Sequence, residues 1–277
     1  MINYIATATF GLEACVKREV IKLGFENVRT FDGRVEFTGD ESAIPRANLW
    51  LRCAGRVFVK MGEFKATSFE ELFQGTKALP WGDWIPVDGK FTVVGKSVKS
   101  TLHSVPDCQA IVKKAIVEKL KEKYDVDWFD ETGAEYTVQV ALLKDMATLT
   151  IDTSGSGLHK RGYRANALDA PLKETLAAAM VELSYWNKDR ILLDPFCGSG
   201  TIPIEAALIA RNIAPGLNRH FASEKWERVP ESLWKEERRK CYEAIDYDCM
   251  PEIYGSDIDP AAIELAKANA ELAGVDD

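Results

Sequence analysis

Two acidic side chains and a pair of glycines are the residues of this 277-residue chain whose types and spacing best suit ligand binding. Within residues 191–201, Asp194 follows an apolar triplet and precedes Gly198 and Gly200. This order predicts a buried strand, a tight turn whose backbone can approach a ligand, and a helix whose N-terminus faces the pocket. Asp257 ends a second short apolar segment. The sequence therefore predicts one cofactor pocket, bordered by both carboxylates, at the carboxyl ends of parallel strands.

The charge of Asp194 discriminates between nucleotide cofactors. A dinucleotide fingerprint requires a third glycine where this chain has Pro203, and a carboxylate beside the turn repels a pyrophosphate. The same carboxylate attracts an ammonium or a sulfonium group, and S-adenosylmethionine carries both. We expect Asp257 to bind both hydroxyls of the ribose. Asp259 is an alternative ribose ligand, although its place before Pro260 suits a helix N-cap better.

The spacing of the two glycine and acid motifs also departs from that of a dinucleotide fold. Asp257 lies 57 positions after Gly200 (257 − 200), whereas the dinucleotide fold places its ribose acid about 20 residues on. The intervening residues 211–251 are expected to be an insertion, helical and highly charged around residues 231–240.

Cys197 lies inside the turn and is expected to be one of its small cofactor-lining residues. A nucleophilic role is disfavoured because the chain has three His in all and none of them lies near Cys197 in sequence. The six Cys show no Cys-x-x-Cys pair and no His spacing suited to zinc, so we expect reduced thiols and no metal site.

A second group of chemically suggestive residues follows the Ser/Gly-rich stretch 154–157. Its members are basic or aromatic: His159, Lys160, Arg161, Tyr163 and Arg164. Such a set could grip single-stranded RNA, with Lys and Arg on phosphates and the tyrosine stacked on a base. Alternatively, these residues tie the linker to an acidic domain by salt bridges. The residues alone leave both interpretations open.

The elements that must position these residues alternate between strands and helices. The pattern predicts strands at 4–10, 57–64, 90–98, 135–142 and 147–152, and a pair of short strands within 28–37 that turn at Asp32-Gly33. It predicts helices at 12–23, 68–79, 105–124, 171–186, 201–213 and 261–273. This order indicates an α/β protein of two or three modules, which its length also permits.

Composition and charge are those of a globular protein, with 46% hydrophobic and 28% charged residues. The net charge of −8 argues against a nucleic-acid partner, but residues 90–123 hold eight Lys against three acids. This local surplus could steer a phosphate backbone, or it could be a solvated helix face. Because no signal pattern and no membrane-length apolar run is present, we expect a cytoplasmic protein without a membrane partner. The oligomeric state is left open.

Three motifs in the right order, at residues 159–164, 171–179 and 194–201, resemble the THUMP-domain RNA methyltransferases. The resemblance extends over the chain: residues 1–60 look like the ferredoxin-like N-terminal domain, 61–157 like the THUMP RNA-binding domain, and 158–277 like the N-terminal part of a Rossmann-like methyltransferase domain. It implies S-adenosylmethionine bound between the glycine turn and Asp257, and RNA held by the THUMP module and the linker. The most similar branch implies methylation of a guanine amino group in 23S ribosomal RNA.

The chain departs from that family in one motif. Amino-group methyltransferases of this family carry Asn or Asp followed by Pro-Pro and an aromatic, and this chain has no Pro-Pro. We therefore assign no catalytic residue and expect a fragment of a longer enzyme or a truncated product, because half of such a sheet would expose unpaired edges. A non-catalytic RNA-binding module and a nicotinamide-dependent oxidoreductase are the alternative functions.

Overall fold

The N-terminal half of the molecule is built on one seven-stranded sheet. The computed structural model describes residues 1–164 and 171–276. The sheet has the order β2-β3-β1-β4-β7-β6-β5, in which β5 and β6 are parallel and the other neighbours are antiparallel. Its strands are β1 (Ile2–Thr7), β2 (Glu26–Phe31), β3 (Arg34–Gly39), β4 (Val57–Lys65), β5 (Lys90–Val98), β6 (Glu135–Leu143) and β7 (Met146–Asp152).

Four helices accompany this sheet: α1 (Glu13–Lys22), α2 (Ala43–Trp50), α3 (Phe69–Lys77) and α4 (Val105–Tyr124). The α3 helix begins directly after its N-cap Ser68, because Ser68 and Glu71 form a reciprocal capping box. The α4 helix is amphipathic as predicted, with Val112, Ile116 and Leu120 among its buried residues. Burial of each such side chain stabilises the fold by about 2 kcal/mol.

The sheet is continuous across the two N-terminal modules that the sequence suggests. The boundary predicted at residue 60 lies inside β4, which pairs with β1 on one side and with β7 on the other. On β6, alternate residues from Tyr136 to Leu142 are buried, as expected for a strand with one face on the core. The ferredoxin-like and THUMP segments thus share one hydrophobic core.

The C-terminal part contains the elements that position the predicted cofactor site. These are α5 (Glu174–Leu183), β8 (Leu192–Asp194), α6 (Thr201–Ala210), α7 (Glu231–Glu243), β9 (Ile253–Gly255) and α8 (Pro260–Ala273). The strands β8 and β9 are parallel, with Asp194 opposite Gly255. Leu193 and Tyr254 on these strands are 66% and 54% exposed, so this small sheet leaves apolar surface uncovered by the described residues.

The predicted insertion between the two acidic sites contains α7. This helix packs on α2 in the N-terminal half, where Glu237 accepts a hydrogen bond from the Arg46 Nε atom at 3.3 Å. The first strand ends at Thr7, earlier than the predicted residue 10, because the chain turns between Thr9 and Leu12. In the described part of the chain, every helix is too short or too polar to cross a bilayer.

Candidate functional site

The turn after β8 has the backbone conformation that the glycines predict. Gly198 and Gly200 have φ angles of 52° and 81°, in the left-handed region that favours glycine. Gly200 is also the N-cap of α6. A Cβ atom added to Gly198 would meet no heavy atom of the described residues within 4 Å. The turn therefore leaves open space beside Gly198.

Asp257 lies directly beside this turn. Its Oδ2 atom accepts a hydrogen bond from the Gly198 backbone N–H at 3.0 Å, and its Oδ1 atom accepts one from Asp259 N–H at 3.0 Å. The backbone N–H groups of Asp259 and Gly198 lower the pKa of Asp257, so the carboxylate is ionised at neutral pH. Each oxygen retains acceptor capacity for a further donor such as a sugar hydroxyl.

The other acidic residues of the site have distinct roles. The Asp194 Oδ1 atom accepts from Phe196 N–H at 3.1 Å, which keeps this carboxylate at the start of the turn. Asp259 accepts a hydrogen bond from Ala261 N–H at 2.9 Å and is the N-cap of α8. Of its two predicted roles, the structure shows the cap.

Cys197 is packed inside the turn. Its side chain is buried, its N–H donates to the Ser256 carbonyl at 2.9 Å, and burial, followed by the charges of Asp194 and Asp257, raises the pKa of its thiol. A Cβ on Gly255 would lie 3.1 Å from the Cys197 Sγ atom. The thiol is therefore a small packing group between the two strand ends, and it lacks the low pKa of a nucleophile.

Three residues that the sequence analysis did not single out also shape this site. Asn269 on α8 is fully buried and donates to the Ser199 carbonyl oxygen at 3.0 Å, which attaches the turn to α8. Phe196 and Ile258 follow the two strand ends and are 86% and 100% exposed. Asn269 could have been identified from the sequence, because it is a polar residue at a helical position that the apolar periodicity assigns to the core.

The structure contradicts direct RNA contact by Arg161 and Tyr163. The side chain of Arg161 is 2% exposed and lies 3.2 Å from a carboxylate oxygen of Glu205, which is 0% exposed. The Tyr163 hydroxyl donates to the same oxygen at 3.2 Å, and Tyr163 is buried. Neither side chain can reach a phosphate or stack on a base in this conformation. The salt-bridge alternative describes Arg161, and Tyr163 adds a hydrogen bond to the same carboxylate.

The remaining residues of the basic group differ in accessibility. Arg164 is largely buried and hydrogen-bonds to Thr201 and Leu172. Burial, followed by neighbouring cations, lowers the pKa of His159, which makes it a neutral side chain at pH 7. Within this group, Lys160 is the exposed basic side chain, so RNA contact by Lys160 stays a prediction.

The positive charge of the lysines around α4 is partly neutralised by ion pairs with acidic side chains. Ion pairs join Lys90 to Glu135, Lys113 to Glu131, Lys119 to Glu122 and Lys123 to Asp83. Such exposed pairs contribute about 0–1 kcal/mol each and neutralise half of the eight lysines. RNA contact by this surface stays a prediction.

Three family models match successive parts of the chain. They are "RlmL ferredoxin-like domain" at residues 3–58, "THUMP domain" at 66–152 and "RMKL-like, methyltransferase domain" at 161–277. The chain is 58% identical over 275 residues to "Putative RNA methyltransferase YpsC" of Bacillus subtilis, a match that covers 99% of this chain and 71% of that protein. The chain belongs to the THUMP-domain RNA methyltransferases. The predicted family and the α/β fold with its three modules are thereby confirmed.

Further relatives extend the comparison of this THUMP-domain methyltransferase. It is 36% identical over 281 residues to "Ribosomal RNA large subunit methyltransferase K/L" of Psychromonas ingrahamii, covering 99% of this chain and 37% of that protein. A "predicted N6-adenine-specific DNA methylase" from Listeria monocytogenes has a TM-score of 0.97 at 57% identity, covering 100% of this chain and 73% of that one. SMU.472, solved in complex with SAH, has a TM-score of 0.94 at 46% identity, with 99% and 73% covered. The cofactor is S-adenosylmethionine, as predicted.

Proposed function

We propose that this protein acts in transfer of a methyl group from S-adenosylmethionine to the exocyclic amino group of a guanine in 23S ribosomal RNA. The observation that carries the proposal is the ionised Asp257 carboxylate held against the open glycine turn. A negative site at the tips of two parallel strands suits a cationic cofactor better than a diphosphate.

The residues of the turn fit this cofactor. Asp257 would accept hydrogen bonds from the ribose hydroxyls, while Asp194 would face the positively charged amino-acid end. The open space above Gly198 admits the ligand close to the backbone. Phe196 and Ile258, both highly exposed, could cover the faces of the adenine ring, which would explain two apolar side chains in solvent. Cys197 and Gly200 would contact the cofactor from within the turn.

The chemistry requires alignment more than activation. When bound, S-adenosylmethionine supplies a methyl group that its sulfonium sulfur makes electrophilic. The chain's own residues would position the cofactor. Asp257 and Asp194 would orient it, and the 197–200 turn would fix the direction from which it approaches. The amine forms the new N–C bond, the S–CH₃ bond breaks with its electron pair going to sulfur, and the amine releases a proton to solvent or a base. We assign this base to no residue of the described chain.

RNA as the acceptor rests on the modules that precede the site. A THUMP domain and a relative named for large-subunit ribosomal RNA both favour it. The choice of guanine over other bases comes from the resemblance of residues 159–164, 171–179 and 194–201. The name of the Listeria protein favours adenine as the second candidate acceptor. Lys160 is the member of the basic linker that we retain as a candidate RNA contact.

Radiolabelled methyl transfer tests the proposal. The chain is incubated with labelled S-adenosylmethionine and ribosomal RNA, the RNA is digested, and the nucleosides are separated. With a longer protein that adds the family's Asn/Asp-Pro-Pro-aromatic motif to this chain, we expect label in N2-methylguanosine from 23S RNA and its loss in Asp257→Asn, whereas this chain by itself should transfer no label. Label in N6-methyladenosine would favour the second candidate, and RNA binding without transfer by both proteins would favour the non-catalytic module. Binding of NADH in preference to S-adenosylmethionine would favour the oxidoreductase.

A further inference from the structure

The guanidinium group of Arg164 joins the linker to the starts of α5 and α6, and α6 follows the cofactor turn directly. Its Nη2 atom donates to the Thr201 Oγ1 atom at 2.7 Å and to the Leu172 carbonyl oxygen at 3.2 Å. The same atom lies 3.3 Å from a carboxylate oxygen of Glu174. Leu172 and Glu174 flank the start of α5, and Thr201 begins α6. One side chain therefore fixes the starts of two helices relative to each other.

Thr201 follows directly on the turn that carries the proposed cofactor ligands. Within the turn, Gly200 N–H donates to the Cys197 carbonyl oxygen at 2.8 Å. Thr201 is 4% exposed, and its short bond to Arg164 has the length expected of a charged donor. A displacement of Thr201 would move Gly200 and with it the backbone that faces the ligand.

The α6 helix has a second attachment one turn further on. Glu205 lies four residues after Thr201, on the same helix face. Arg161 binds Glu205 and also donates to the Arg52 carbonyl oxygen at 2.6 Å, between α2 and β4 of the N-terminal half. The linker thus holds the body of α6 through Arg161 and its first residue through Arg164.

Charge fixes the position of the Arg164 side chain itself. Glu174 is 4% exposed, and burial raises the pKa of its carboxyl, an effect that its own backbone N–H and the charge of Arg164 partly offset. A buried carboxyl requires a cationic partner at this place. The guanidinium group is held there by Glu174 and by the Leu172 carbonyl, and it presents a donor to Thr201.

We propose that Arg164 is a positioning residue for the cofactor, which holds Thr201 so that the 197–200 turn keeps the conformation that binds S-adenosylmethionine. This role rests on the proposed cofactor site and connects the linker to it. Arg164 acts through Thr201 rather than on the reacting atoms. Arg164, which the sequence suggested as an RNA contact, thereby contributes to cofactor binding instead.

Calorimetric titration with S-adenosylhomocysteine tests this role in a double-mutant cycle. Arg164→Met removes the donors at similar length, Arg164→Lys retains a charged donor, Thr201→Val removes the acceptor and Thr201→Ser retains it. The double variant Arg164→Met/Thr201→Val completes the cycle. Lys188→Met, which removes an exposed ion pair with Asp246, is the matched control. Urea unfolding of each variant reports its stability separately.

We expect Arg164→Met and Thr201→Val each to weaken binding about tenfold, as loss of a charge-assisted hydrogen bond would do. Thr201→Ser should stay near the wild-type affinity, Arg164→Lys should recover part of the loss, and the double variant should bind no more weakly than either single variant. Wild-type affinity in Arg164→Met would overturn the role. If Arg164→Met does not fold, wild-type affinity in Thr201→Val would overturn it. Losses of binding free energy in the two single variants that add up in the double variant would also overturn it. If the wild-type chain itself fails to bind, the proposed cofactor site is wrong.

Discussion

Removal of the buried charge of Glu205 should destabilise the protein strongly. Glu205→Gln preserves the shape of the side chain and removes its charge. In the structure, Arg161 Nε and Nη2 lie 3.2 Å and 3.3 Å from the two Glu205 oxygens, and the Tyr163 hydroxyl lies 3.2 Å from one of them. The substitution would therefore leave a buried guanidinium without its counter-charge.

The burial of the pair sets the magnitude of the expected loss. The Arg161 and Glu205 side chains are 2% and 0% exposed, so water and salt screen their attraction little. Burial is the largest single influence and by itself would lower the pKa of Arg161, but the charge and hydrogen bonds of Glu205, together with the nearby Tyr163 and Glu174, raise the pKa overall. Breaking such a pair by removal of one partner costs about 3–5 kcal/mol. Arg161 retains the Leu158 and Arg52 carbonyl oxygens, which favours the lower end of this range.

Urea unfolding at neutral pH measures this effect. Glu264→Gln is the control, since Glu264 pairs at 3.1 Å with Lys267 on the surface of α8, where both side chains are more than 70% exposed. We expect the control to lose at most about 1 kcal/mol. A free energy of unfolding for Glu205→Gln within about 0.5 kcal/mol of the wild type would refute the structural role of the pair.

Two further predictions concern backbone strain and buried acids. Gly198→Ala should lower the free energy of unfolding by ~1–2 kcal/mol, because alanine is strained in the left-handed region. Gly200→Ala should lower it further, because its Cβ would also lie 3.0 Å from the Cβ of Ala266. Equal losses of unfolding free energy in urea would contradict this order. Burial, followed by the charge of Glu182, raises the pKa of Glu19 to about 7. The folded chain then keeps a proton that the unfolded chain releases, so the free energy of unfolding should fall as pH rises from about 4.5 to about 7, by up to ~1.4 kcal/mol per unit. Glu19→Gln should flatten this slope in unfolding at several pH values, and an unchanged slope would exclude Glu19.

The cofactor turn could be predicted from sequence because its requirements are local. Positive φ angles favour glycine, and a carboxylate that follows an apolar triplet can be placed at a strand end. The conformation of the turn around Asp194, Gly198 and Gly200 was therefore predictable from its own neighbourhood, whereas cofactor binding by these residues stays a prediction. The cap at Asp259 was likewise indicated by the proline that follows it.

The direction in which the linker cations point could not be predicted in the same way. Arg161 and Glu205 are 44 positions apart, and their pairing depends on how the linker crosses α6. A single acid within the apolar run of α6 was the available signal, since a charge on a buried face requires a partner. The sequence also did not predict that one sheet runs through both N-terminal modules, because the pairing of Val59 with Ile151 is set by tertiary packing.

The account depends on cofactor recognition by Asp194, Asp257 and the turn between them. A crystal structure of the chain with S-adenosylhomocysteine tests this most directly. We predict ribose oxygens within about 3.2 Å of the Asp257 carboxylate, with the amino-acid end beside Asp194 and the turn. Density for the ligand at any other place on the chain would contradict the account.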